Sequence, residues 1–186
     1  MAIQHMGQFT AIGMRTKVEN PDAMVINTCA GNDTDGRGDP TRWVWSNPTN
    51  RAITHQYHDI EAVSTECLWQ GTKVRAGQDG PDPRTLQGDW RRGKGKRPIG
   101  AYAGPGEPLI TTPGEARRKI YIPAFARQIR EWLSDPQVAE WVHAAESHPG
   151  GVYLRDHDTG RGIDRNGPMS HAWLMATWLN DGEIPE

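Results

Sequence analysis

With two cysteines, two phenylalanines and no long apolar run, this chain of 186 residues lacks the marks of several protein classes. Cys29 and Cys67 are too few for a disulfide scaffold, and neither stands in a metal-ligand spacing. No stretch approaches the roughly 18 apolar residues of a membrane span, and no signal-peptide core is read near the start. A cytoplasmic, soluble protein without membrane contact is therefore expected. Charge of one sign is also missing. The formal net charge is −2, so no global basic field draws the chain to nucleic acid, and any polyanion contact must come from a local patch. Apolar residues make up only 35% of the chain and mean hydropathy is −0.74, which is polar for a globular enzyme.

Tryptophan, glycine and proline are plentiful. Eight Trp residues can bury wide surfaces and argue for a folded core. The 21 Gly and 14 Pro predict much ordered loop or some disorder. The length suits one domain. Residues 1–20 are expected as a flexible N-terminal segment, with Met1–Gly13 a polar start outside the fold. Residues 21–182 are expected as a single domain carrying a basic, Gly- and Pro-rich insert around 75–109.

Along the chain, MVINT (Met24–Thr28) and RWVWS (Arg42–Ser46) have the β-branched and aromatic content of strands. Ser64 can cap a helix running to about Val74, with Glu66 in its first turn. Thr112-Pro113-Gly114-Glu115 has the form of a capping box with Pro at the first helical position, and Pro123 should break or kink that helix near Tyr121. A helix over Pro123–Leu133 follows from the spacing of Phe125, Ile129, Trp132 and Leu133. Another is capped by Ser134 or Asp135 and led by Pro136, and a last one spans Met169–Leu179. The fold class is α+β: a compact, mostly helical single domain with a few short strands.

Three constellations could carry chemistry. On a helix, Glu66, Gln70 and Lys73 fall at i, i+4 and i+7 and share a face. They are either a pocket wall of carboxylate, amide and ammonium or a solvated face with Glu66 favoured by the helix dipole. In Arg155–Asp164, glycines allow close backbone approach and clustered amides can cradle phosphate. Asp156, His157 and Asp158 could bind metal or activate water there, or the Asp residues could simply form side-chain turns. The segment lacks the alternating acids and terminal Glu of a calcium loop, and its spacing is no recognised zinc pattern. Third, Arg84–Arg97 sets basic residues around Trp90, which suits a nucleic-acid backbone and a stacked base or a solvated loop. His55, Tyr57 and His58 are further acid–base candidates, or strand and turn residues with ordinary partners.

The order of these pieces resembles the NADAR family. There a strand ends in Ser-Asn, as Ser46-Asn47 does here, and a helix carries Glu with Gln four and Lys seven residues later. A PGEAR-like helix start follows, matched by Pro113–Arg117. A loop of the form Asp-x-x-Trp-Gly-x-Gly closes the series, matched by Asp156, Gly160 and Gly162 with Thr159 in place of Trp. The resemblance covers about Arg42 to Leu179. It implies a compact, largely helical fold that hydrolyses N-glycosidic bonds. The implied substrates are ADP-ribose attached to nucleobases, such as guanine in nucleic acid, and related ribosyl nucleotides. By position, Glu66 and Asp156 become catalytic carboxylates, while Asn47, Gln70 and Lys73 become pocket residues. Phe125, Tyr121 or Trp90 stands for the family's aromatic. Trp69, Gly160, Arg161 and Gly162 complete the expected substrate-binding set. No metal or organic cofactor is implied. Two rivals stand beside this expectation: a module that binds an ADP-ribose-like nucleotide without turning it over, and a nucleic-acid-binding protein that uses Arg84–Arg97.

Overall fold

The segment VYLRD alternates buried and half-exposed positions, the period-2 pattern of a strand with one face on the core. This strand, Val152–Asp156, is the centre of a parallel three-stranded sheet, flanked by Phe9–Gly13 on one side and Met24–Asn27 on the other. The computed structural model describes residues 9–29, 53–89, 91 and 97–184. The expected strand at Arg42–Ser46, and with it Asn47 and Trp90, lies outside the described residues. In chain order the strands are β1 (Phe9–Gly13), β2 (Met24–Asn27), β3 (His55–Tyr57), β4 (Ile60–Ala62), β5 (Lys73–Arg75), β6 (Pro98–Ala101) and β7 (Val152–Asp156). The helices are α1 (Thr65–Gly71), α2 (Pro83–Leu86), α3 (Pro113–Ala116), α4 (Ile122–Ser134), α5 (Pro136–Glu146) and α6 (His171–Asp181). The α+β class follows.

Strand β1 corrects the expectation that residues 9–13 lie outside the fold. Phe9 is buried in the main core. Its backbone is held at both ends by one side chain, since Asn180 Nδ2 donates to Phe9 O at 2.9 Å and Phe9 N donates to Asn180 Oδ1 at 3.1 Å. An amide side chain here satisfies an edge strand's open donor and acceptor as a neighbouring strand would. Asn180 belongs to α6, whose Ser170 cap accepts from Trp173 N and whose end is closed by Gly182 in the left-handed region.

Helices α4, α5 and α6 pack on the sheet around Phe125, Ile129, Leu154, Leu174 and Met175. Asp135 caps α5 as expected, accepting from Gln137 N at 2.9 Å. Pro123 does not break the helix. The chain passes from α3 into α4 through a π-turn, Arg117–Tyr121, in which Ile122 N reaches back to Arg117 O. A proline inside an α-helix lacks a donor and collides with the carbonyl four residues earlier. A widened turn just before it lets the helical run continue past the proline. Thr112 caps α3 by position, but its hydroxyl turns to Glu115 Oε2 at 3.5 Å instead of a backbone donor, so the reciprocal capping box does not form.

A second core gathers Tyr57, Leu68, Leu86, Ala101, Ile110 and Ile120 beneath the β3–β4 hairpin, the antiparallel β5–β6 pair and α1. Helix α1 starts where expected, with Ser64 Oγ accepting from Cys67 N at 3.1 Å. It stops at Gly71, short of the expected Val74. A Cβ on Gly71 would meet Leu86 Cδ2 at 2.6 Å, and the β-branched Thr72 and Val74 that follow favour the strand β5. Trp69 packs against both cores and marks their seam.

Candidate active site

Because α1 ends early, Lys73 reaches the Glu66 face from a strand instead of a third helical turn. The three side chains still meet. Gln70 Nε2 donates to Glu66 Oε1 at 2.8 Å, and Lys73 Nζ donates to Gln70 Oε1 at 3.1 Å. Gln70 thus relays between anion and cation with donor and acceptor both engaged. Lys73 Nζ also stands 4.1 Å from the centroid of the Trp69 ring, a cation–π distance. Burial pushes the Lys73 ammonium down to about 8, the charges of Arg75 and Arg117 push the same way, and Glu66 and Asp158 oppose them. Glu66, Trp69, Gln70 and Lys73 are each half-buried.

The other wall is the loop that leaves β7. Asp156 falls in register with Val152 and Leu154 on the inward face, so its carboxylate enters the protein where an apolar side chain would fit. A buried charge requires partners, and Asp156 has them on both oxygens. Oδ2 accepts from Ser170 Oγ at 2.8 Å and Ala172 N at 3.3 Å, with His171 Nδ1 at 3.4 Å. Oδ1 accepts from Asp158 N at 3.2 Å and Cys29 Sγ at 3.5 Å. Burial works against its ionisation, but the His171 contact and the Ser170 and Ala172 hydrogen bonds outweigh it and hold the carboxyl well below the usual range. Asp156 is therefore a fully engaged structural carboxylate, which leaves it little capacity to accept from a substrate.

Asp158, two residues on, keeps an exposed surface. Partial desolvation and the negative charges of Asp156 and Glu66 raise its carboxyl above the ordinary value, while His157 and His171 pull it down. Asp158 also acts on Lys73, so it lies within electrostatic reach of both clusters. In the sequence Asp158 stands only as one of two acids beside His157. The signal that separates them is strand parity, because Asp156 continues the inward set of β7 and Asp158 lies beyond its end.

Several expected site residues sit elsewhere. Phe125 is wholly buried in the main core, its ring tilted at 5.9 Å from that of Tyr121, and has no exposed surface to offer a base. Tyr121 is buried too, with its ring 5.2 Å from Trp69. Gly160 serves packing: a Cβ there would meet Arg165 Nη1 at 2.0 Å and Pro168 O at 2.3 Å. Arg161 turns to the sheet edge, donating to Ala11 O at 3.1 Å. Gly162 has φ +92°, a left-handed position that suits glycine, and nothing lies within 4 Å of its would-be side chain. His55 is buried and paired with Thr65 Oγ1 at 2.9 Å, and burial drives its imidazole down to about 4. Tyr57 donates to Tyr102 O, and His58 sits in the left-handed region at the β3–β4 turn. Cys29 is a poor nucleophile, its thiol pushed up to about 12 by burial and by the charge of Asp156. Of the basic segment, the described Arg84, Arg91 and Arg97 are exposed, and most of its remaining residues lie outside the described set.

A residue the sequence did not single out holds the far part of the loop. Arg117, the Arg of the PGEAR segment, is buried, and its guanidinium donates to the carbonyls of Ile163 at 2.5 Å, Arg165 at 2.7 Å and Gly167 at 2.5 Å. Its neighbour Arg118 grips Asp164 through two oxygens at 2.5 and 2.7 Å. Among the described residues no His, Cys, Asp and Glu cluster is arranged to hold a metal ion, and no helix is long and apolar enough to cross a membrane. Comparison with family models, curated proteins and solved structures finds no match for this chain.

Proposed function

We propose that this protein hydrolyses the N-glycosidic bond between a nucleobase and the ribose of ADP-ribose or a related ribosyl nucleotide. The observation that carries the reading is the hydrogen-bonded series Glu66–Gln70–Lys73, with Lys73 over Trp69 and within electrostatic reach of Asp158 in the loop after β7. Cleaving a ribosyl C–N bond builds oxocarbenium character on the sugar. A half-buried carboxylate such as Glu66 can stabilise that charge or activate water. Gln70 donates to Oε1 of Glu66 and leaves Oε2 to meet a substrate or water. Lys73 supplies a cation suited to phosphate oxygens, and Trp69 offers an aromatic surface. Asp158 is the loop carboxylate free to take the second proton-transfer role, with Asp156 holding the loop that carries it. No metal or organic cofactor is required by this chemistry.

A sequestering module that binds the same nucleotide without turnover is the second reading, favoured by the full internal engagement of Asp156. The deciding experiment incubates wild type and Glu66→Gln with an ADP-ribosylated guanine oligonucleotide and follows release by mass spectrometry. Release by wild type and not by the variant supports the glycosidase. Intact ligand retained by both moves the assignment to the sequestering module. Neither release nor binding removes both readings. Running the binding arm at several salt concentrations tests the exposed Arg84, Arg91 and Arg97: affinity that falls steeply with salt assigns them a role on the oligonucleotide backbone.

A further inference from the structure

We infer that Arg117 is a positioning residue, and that the π-turn carrying it braces the two walls of the candidate site against each other. The inference rests on the glycosidase reading for the reaction it serves, but its geometry stands separately. Arg117 and Tyr121 are the first and last residues of the π-turn. From one end, the guanidinium grips carbonyls at 163, 165 and 167, the second half of the loop after β7. From the other, the Tyr121 ring lies against Trp69, on which Lys73 rests.

The first half of the loop is fixed from behind. Asp158 N is tied to Asp156, His157 N to Cys29 Sγ at 3.2 Å, and Ser170 N to Gly160 O at 2.9 Å. Only the second half depends on Arg117. A planar fork with several donors can reach three carbonyls at once, whereas a lysine ammonium has no rigid span. Lysine at 117 therefore keeps the charge and loses the grip. Freed carbonyls at 163–167 would turn to water, and the second half of the loop would lose its fixed place beside the candidate site.

The test compares wild type, Arg117→Lys and Arg118→Ala, the last removing the surface pair to Asp164 on the same loop while leaving the Arg117 fork in place. Amide hydrogen exchange over 157–170 is measured together with kcat and KM for release of ADP-ribose from the modified oligonucleotide. In Arg117→Lys, exchange over 161–169 rises by about ten-fold or more while α4 and 157–160 are unchanged. In the same variant kcat falls by about 100-fold with KM altered less than about three-fold, the mark of lost geometry at the reacting centre. Arg118→Ala changes neither. Unchanged exchange in Arg117→Lys, or an equal effect in Arg118→Ala, overturns the inference. A wild type that releases nothing removes the glycosidase reading alone, and exchange in the variant still decides the brace. If Arg117→Lys fails to fold, the wild-type exchange decides. Loop amides as slow as those of α4 uphold the brace, and loop amides exchanging like an open loop refute it.

Discussion

Ser170 donates its hydroxyl to Oδ2 of Asp156 at 2.8 Å, and that bond ties the end of the central strand to the cap of the last helix. The same hydroxyl oxygen accepts from Trp173 N at 3.1 Å, so strand, cap and helix form one hydrogen-bonded unit. The two neighbouring aspartates therefore have separable roles. Asp156→Asn leaves the donors around a buried site facing an amide, and stability falls by about 3 kcal/mol. Asp158→Asn shifts stability by no more than about 0.5 kcal/mol, as surface substitutions do, yet lowers turnover. Urea denaturation paired with the release assay checks both. A destabilised Asp158→Asn, or an Asp156→Asn as stable as wild type, would reverse the assignment.

Much of the helical frame was legible in the sequence because caps and prolines are local signals. Ser64, Asp135 and Pro136 mark helix starts that the chain adopts. The Glu66–Gln70 pair followed from helical spacing and survives. Lys73 joined them for a different reason, because β5 turns it back toward the helix. What stayed hidden depends on contacts distant in sequence. β1 looks like a polar leader until Asn180, 171 residues away, closes its edge. The engagement of Asp156 is invisible until Ser170 and Ala172 fold back on it. Arg117 shows no role until the loop carbonyls arrive at its fork.

Lys73 offers a direct electrostatic check. With its ammonium held near 8, it should react with an amine-selective acylating reagent with a midpoint near pH 8, well below the ordinary lysine value of 10.5. Exposed Lys119, whose ammonium is raised by its hydrogen bond to Glu115, should titrate above it. Glu66 opposes the shift of Lys73, so Glu66→Gln should move the midpoint lower still. Competitive labelling read by peptide mass spectrometry measures both shifts. A Lys73 that titrates with Lys119 would mean that the ammonium is fully hydrated and the relay through Gln70 is not formed in solution.

His55 should make the protein acid-sensitive before its carboxylates do. Its imidazole is about 4 when folded against 6.5 when unfolded. Between those values the unfolded chain binds the extra proton, so stability is fully present above pH 6.5 and falls as pH drops toward 4. The loss reaches about 3 kcal/mol at the lower end. Asp156, whose folded carboxyl is depressed, contributes stability that disappears only at still lower pH. His55→Gln can keep a hydrogen bond to Thr65 without a titrating group. Its melting temperature should therefore stay flat between pH 6.5 and 4 where that of wild type falls. Parallel pH profiles for the two proteins would place the acid sensitivity elsewhere.

The glycines of the loop after β7 separate a packed turn from a phosphate cradle. Alanine at 160 drives a methyl into Pro168 O and the Arg165 guanidinium at 2.3 Å or less. The backbone carbonyl cannot yield as a flexible side chain would, and overpacking of this kind costs about 1–3 kcal/mol. Alanine at 162 meets no atom but must hold φ +92°, a strain of about 1 kcal/mol. A loop that served chiefly as an anion cradle would show the opposite balance, with both variants near wild type in stability and both weak in binding free ADP-ribose. Denaturation midpoints and calorimetric titration with ADP-ribose distinguish the cases. The packing account requires Gly160→Ala to be the less stable variant, and requires Gly162→Ala to retain its ligand affinity within about three-fold.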